Sequence, residues 1–151
     1  MSNKELTKAP DAKSFSFSFR SSKSADTIFE LLLNIDKWWS GFYSETISGK
    51  SRAIDDEFTF SAGGGLHNTK QKLVELIPNK KIVWLVTESN LLFLNDTNEW
   101  TNTMIRFDIS ADVNKTTVTF THDGLVPQIE CYDQCSSAWS QYLEQLQEKL
   151  K

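Results

Sequence analysis

Long apolar runs are missing from this sequence. No stretch approaches the roughly eighteen apolar residues that a bilayer span needs, so membrane insertion is not expected. The first residues, MSNKELTKAPDAK, hold no apolar segment of the kind that heads a secreted chain. Clustered positive charge is also missing. The net charge is −4 and no block of Lys and Arg occurs. Nucleic acid is therefore not expected as a partner, because phosphate backbones are held by clustered cations. Cysteine is nearly absent: only Cys131 and Cys135 occur. Spaced i, i+4 on a helix, their Cβ atoms would lie roughly 5–6 Å apart, beyond ordinary disulfide reach. They are expected to be reduced thiols in a cytoplasmic protein. The GGG run at Gly63–Gly65 lacks the GK[ST] ending of a phosphate loop and reads as a hairpin turn. No repeat or low-complexity tract is visible.

The chain's 151 residues suit one domain. Residues 1–12 are polar and without period, the pattern of a flexible N-terminal arm, which leaves 13–151 as the folded unit. SFSFSFR opens that unit. Its Phe15, Phe17 and Phe19 alternate with serine, the period-two signature of a half-buried strand. In SADTIFELLLNIDKWW, Ser24 is a candidate N-cap, and Ile28, Phe29, Leu31, Leu32 and Ile35 form a helical stripe. A second short helical turn then carries Trp38 and Trp39.

Further strands are expected near 42–49, 56–61, 66–77, 80–88, 99–109 and 115–123. The short links SAGGG, PNKK and ADVNK favour antiparallel neighbours, since parallel strands need long crossovers. A helix from near Gln128 closes the chain. Its Cys131, Cys135, Ala138, Trp139, Tyr142, Leu143, Leu146 and Leu150 repeat at threes and fours on one face. The opposite face is acidic and neutral, unlike a membrane-surface helix, which is basic there. The antiparallel sheet needs a cover for one apolar face, so this helix is expected to pack on it.

This order of elements resembles the helix-grip fold of the SRPBCC, or START-like, superfamily. Within it the chain is similar to the family named for homology to the C-terminal domain of the heat-shock-protein ATPase activator. ADTIFELLLNIDKWW, VELIPNKKIVW, EWTNTMIRFDI with TTVTFTHDGL, and CSSAWSQYLEQL carry the match. The resemblance implies an α+β fold: a curved antiparallel sheet of about six to seven strands wrapped around a long C-terminal α-helix, with two short helices after strand 1. It also implies a cavity between sheet and helix.

Several side chains qualify as walls of such a cavity. Trp39, Phe60, Trp84, Phe120 and Trp139 are the aromatic candidates, and Cys135 and Tyr142 lie on the inner face of the last helix. Glu99 and Thr101 share a strand face with Ile105 and Phe107 and would look inward. Trp100, on the alternate face, would lie outside. His122 shares the core face of Val118 and Phe120. It would be either a polar hook for a ligand or a histidine satisfied structurally by the start of the last helix, the commoner fate. Metal binding through His67, His122, Cys131 and Cys135 is not expected, because their spacing fits no zinc motif. Glu57, Glu75, Glu99 and Asp108 form no spaced acid pair.

These residues leave three functions open. The first is a protein that binds an apolar or amphipathic small molecule and has no metal or cofactor. The second is a cyclase, dehydratase or hydrolase using His122 with Glu99 or Tyr132. The third, implied by the family resemblance, is a chaperone-cofactor-like interaction module. A homodimer through a sheet edge or the long helix is also open.

Overall fold

The computed structural model describes residues 13–151; the expected arm, 1–12, lies outside them. Strand β1 (Phe15–Ser21) leads into helix α1 (Ala25–Leu33) and one 3-10 turn at Ile35–Lys37. Strands β2 (Thr46–Gly49), β3 (Glu57–Ala62), β4 (His67–Ile77), β5 (Lys81–Leu91), β6 (Met104–Ala111) and β7 (Thr116–Asp123) follow. Helix α2 (Tyr132–Lys149) closes the chain. The strands form one curved seven-stranded sheet in the order β1-β7-β6-β5-β4-β3-β2, every pair antiparallel. This is the α+β helix-grip architecture.

The alternation in β1 sets its register. Phe17 lies opposite Phe120 and Phe19 opposite Val118, while Ser16 and Ser18 face solvent. Register shifts between Lys70 and Gln71 and between Leu73 and Glu75 interrupt the β4–β5 ladder, and such bulges bend and twist a sheet. Helix α1 buries Ile28, Leu32 and Leu33. Helix α2 buries Cys135, Trp139, Tyr142, Leu143 and Leu146, the stripe read from its spacing. Trp38 is fully buried between these layers and donates its indole N–H to the Leu32 carbonyl at 2.9 Å. Its ring meets Trp39, Trp84, Phe107 and Trp139. No helix among the described residues is long and apolar enough to cross a membrane.

Three expected boundaries move, each for a local reason. The strand expected from residue 42 starts at Thr46. Ahead of it, the Glu45 carboxylate accepts the backbone N–H groups of Gly41, Phe42 and Tyr43, which curls the chain into a turn. The strand expected from residue 99 starts at Met104. Asn102 sits at φ +74°, the left-handed region that breaks an extended run, and residues 92–103 fold back as turns. The last helix begins at Tyr132 rather than near Gln128, after turns closed by Ile129 N–H to Val126 O and Tyr132 N–H to Ile129 O.

Candidate functional site

Between α2 and the β3–β4 end of the sheet lies a cavity of about 390 Å³. Trp39 follows the 3-10 turn and stacks on Phe60 of β3, centroids 4.1 Å apart. Trp139 of α2 crosses Trp39 at 4.8 Å and stacks on Trp100 at 5.9 Å. Cys135, Ala138 and Tyr142 complete the helix wall, one and two turns along α2. Ala62 and His67, paired across β3 and β4, form the opposite wall. Tyr43, Leu66 and Phe93 also line the cavity and are exposed, so they mark its mouth. The lining is mostly aromatic and aliphatic and contains no lysine, arginine, aspartate or glutamate.

A strap of chain borders the mouth. Besides three backbone N–H groups, the Glu45 carboxylate accepts the Tyr142 hydroxyl at 2.6 Å. Burial opposes the Glu45 charge, but these donors, led by Tyr142, outweigh it and hold the carboxyl below its ordinary pKa. The same burial, together with the Glu45 carboxylate, pushes the Tyr142 phenol far up. Tyr43 donates to the Gln141 side-chain oxygen, and Gln145 donates to the Ser40 carbonyl at 3.0 Å. Residues 40–45 are thus tied to α2 at several points.

The sequence candidates divide in two. Trp39, Phe60, Cys135, Trp139 and Tyr142 line the cavity; Trp84, Glu99, Thr101, Phe120 and His122 do not. Trp84 lies deeper, against Trp38 and Phe107, with its indole N–H on the Ser51 hydroxyl at 2.9 Å. Phe120 packs between Phe107 and Trp139, behind the lining. Glu99 is displaced because β6 starts late. Its two carboxylate oxygens accept the N–H groups of Glu130 and Cys131, each at 2.8 Å, and so hold the approach to α2. Thr101 pairs its hydroxyl with that of Ser89 at 3.1 Å. Trp100 corrects the expectation of an exterior ring. The turns before β6 swing it inward, where it is 3 % exposed and lines the cavity.

His122 is fully buried and both its nitrogens are engaged. Trp139 donates its indole N–H to Nδ1 at 3.0 Å. An indole only donates, so Nδ1 is bare and the proton sits on Nε2. Nε2 therefore donates to Thr103 Oγ1 at 2.8 Å, and Thr103 donates in turn to the Trp100 carbonyl at 2.6 Å. Gly124, at φ +108°, makes room: a Cβ there would lie 2.7 Å from the Thr103 methyl. Burial, with His67 nearby, pushes His122 down to about 3, so the ring is neutral. This relay orients Trp100 and Trp139, two of the cavity walls.

The sequence offers His67 only as a metal donor. The period-two run back from Leu73 through Gln71 and Thr69 puts it on the inner face of β4, which is the signal that locates it. Burial pushes it down to about 4. No group of three or more His, Cys, Asp or Glu side chains gathers for a metal among the described residues. The cysteines correct a second expectation. Cys131 and Cys135 are paired as a disulfide with Cα atoms 5.5 Å apart, inside the range such bonds span. Cys131 caps α2 with helical backbone angles, and its carbonyl accepts the Cys135 N–H at 2.8 Å, so the first turn of the helix holds the two residues side by side.

Comparison with known proteins places this geometry. The family model described as Activator of Hsp90 ATPase homolog 1-like protein matches residues 23–151. Among solved structures, the solution structure of the Aha1 dimer from Colwellia psychrerythraea superposes with a TM-score of 0.71 at 25% identity, covering 91% of this chain and 95% of that one. A crystal structure of a protein from Mesorhizobium loti gives a TM-score of 0.68 at 16% identity over 89% of this chain and 95% of the other. One from Chromobacterium violaceum gives 0.64 at 13% identity over 91% and 96%. At these last two identities the likeness is one of fold alone. No curated protein matches the chain.

Proposed function

The chain belongs to the Activator of Hsp90 ATPase homolog 1-like protein family, and from that premise we propose that it is a small-molecule-binding protein, holding an apolar or amphipathic ligand between the sheet and α2. The observation that carries this reading is the aromatic cavity of about 390 Å³. Its size falls in the range of ligand sites, and flat aromatic walls suit a flat apolar guest. Binding is favoured over catalysis by His122 with Glu99 by the state of those two residues. Both nitrogens of His122 and both carboxylate oxygens of Glu99 are committed to hydrogen bonds inside the protein, and neither residue lines the cavity. General acid–base work needs such a group within reach of the guest.

Titration with the neutral fluorophore N-phenyl-1-naphthylamine tests the reading. Saturable one-to-one binding is expected. Ala138→Phe, which fills the cavity from a helical position and leaves every core aromatic in place, is expected to weaken it by about tenfold or more while the melting temperature holds. Fluorescence that rises without saturation, or binding indifferent to Ala138→Phe, would count against a ligand in this cavity.

A further inference from the structure

Two polar atoms carried by cavity-lining side chains have no partner. The Trp100 indole Nε1 and the His67 Nε2 are buried and make no hydrogen bond. Their rings meet edge to face with centroids 4.7 Å apart. Three of the other four indoles do have acceptors. Trp38 donates to Leu32, Trp84 to Ser51 and Trp139 to His122. A buried polar group left without a partner is costly and rare, so one at a cavity wall points to a guest that completes it. The same face of β4 continues this pattern inward: Thr69 Oγ1 and both amide atoms of Gln71 are also buried and unpartnered. Their neighbours across the β3 ladder, Phe60 and Phe58, are apolar and offer them nothing.

Resting on the reading that this cavity binds a small molecule, we propose that it selects an uncharged hydroxylated aromatic, with His67 and Trp100 as the pair that recognises the hydroxyl. An indole N–H only donates, while a neutral imidazole nitrogen can accept. A hydroxyl serves both: its oxygen accepts from Trp100 and its proton goes to His67. A bare hydrocarbon leaves both atoms unsatisfied. A carboxylate fares worse than a hydroxyl. No cation lines the cavity to meet its charge, and burial keeps His67 neutral near pH 7, so the anion loses its hydration uncompensated. Flatness is set by the walls, where Trp39 stacks on Phe60 and Trp100 on Trp139.

The test is calorimetric titration of the full chain near neutral pH with naphthalene, 2-naphthol and 2-naphthoate. In the unaltered protein 2-naphthol is expected to bind about tenfold more tightly than naphthalene and to exceed 2-naphthoate. Trp100→Phe and His67→Phe keep a ring in place but remove the polar atom. Each is expected to shrink the advantage of 2-naphthol over naphthalene, compared within the same variant, to about twofold or less. The two variants are read separately, so a folding failure in one, seen by circular dichroism, leaves the other decisive. Equal binding of naphthalene and 2-naphthol, or an advantage that survives both substitutions, overturns the selection and leaves the cavity reading standing. Failure of all three compounds to bind overturns both.

Discussion

Trp139→Ala is expected to cost the fold about 3–5 kcal/mol, the range for emptying a fully buried large aromatic position. Trp139 is 1 % exposed. Its ring touches Trp38, Trp39, Trp100, Phe120 and Tyr142. Truncation would open a void among residues from three parts of the chain: the segment after α1, the β5–β6 connection and β7. It would also strip His122 Nδ1 of its donor, adding the penalty of a buried acceptor left bare. Trp139→Phe separates these terms, because it restores most of the ring and none of the N–H. Urea unfolding should rank the three proteins as parent, Phe variant, Ala variant. An Ala variant within about 1 kcal/mol of the parent would mean that α2 does not hold the aromatic cluster together.

Acid should destabilise the protein well before the carboxylates titrate. Burial holds His67 down to about 4 and His122 down to about 3, while an unfolded histidine titrates near 6.5. The sign follows from proton counts. Above about pH 6.5 neither state binds these protons and there is no penalty. Below it the unfolded chain takes up protons that the native chain refuses, so stability falls with falling pH. The loss continues until the native rings protonate in turn, near 4 for His67 and near 3 for His122. Each histidine contributes a slope of up to about 1.4 kcal/mol per pH unit. Unfolding free energies measured between about pH 7 and about pH 5 should show this decline, and His67→Phe should remove roughly half of the slope. A flat profile over that window would mean that the two rings are not buried as neutral groups.

The architecture was legible because it is written in periods. Alternation in β1 and the threes and fours of α2 are properties of the chain that burial then obeys. Most of the cavity was legible where a wall residue sits on such a period, as Phe60, Cys135, Trp139 and Tyr142 do, while Trp39 stood out by its aromatic ring alone. Trp100 reads as an exterior ring because its neighbours Glu99 and Thr101 read as strand. The turn at Asn102 that reverses it is a tertiary outcome: backbone bonds Asn102 N–H to Val86 O and Val86 N–H to Thr103 O fasten it to β5. His122 illustrates a different limit. Its burial followed from the face it shares with Phe120, but its partners, Trp139 and Thr103, lie 17 and 19 residues away and only the fold brings them in. His67 has the right period, but its strand neighbours on that face, Thr69 and Gln71, are polar and mask a core-facing row.

The central claim is that a guest enters between α2 and the β3–β4 end of the sheet. Nitrogen-15 spectra of the tryptophan indole groups during titration with N-phenyl-1-naphthylamine test it most directly. The indoles of Trp39, Trp100 and Trp139 should shift together and saturably, Trp100 most because its N–H has no partner, while Trp84, held by Ser51 behind the lining, stays in place. Shifts absent from those three, or confined to Trp84 and surface amides, would contradict it.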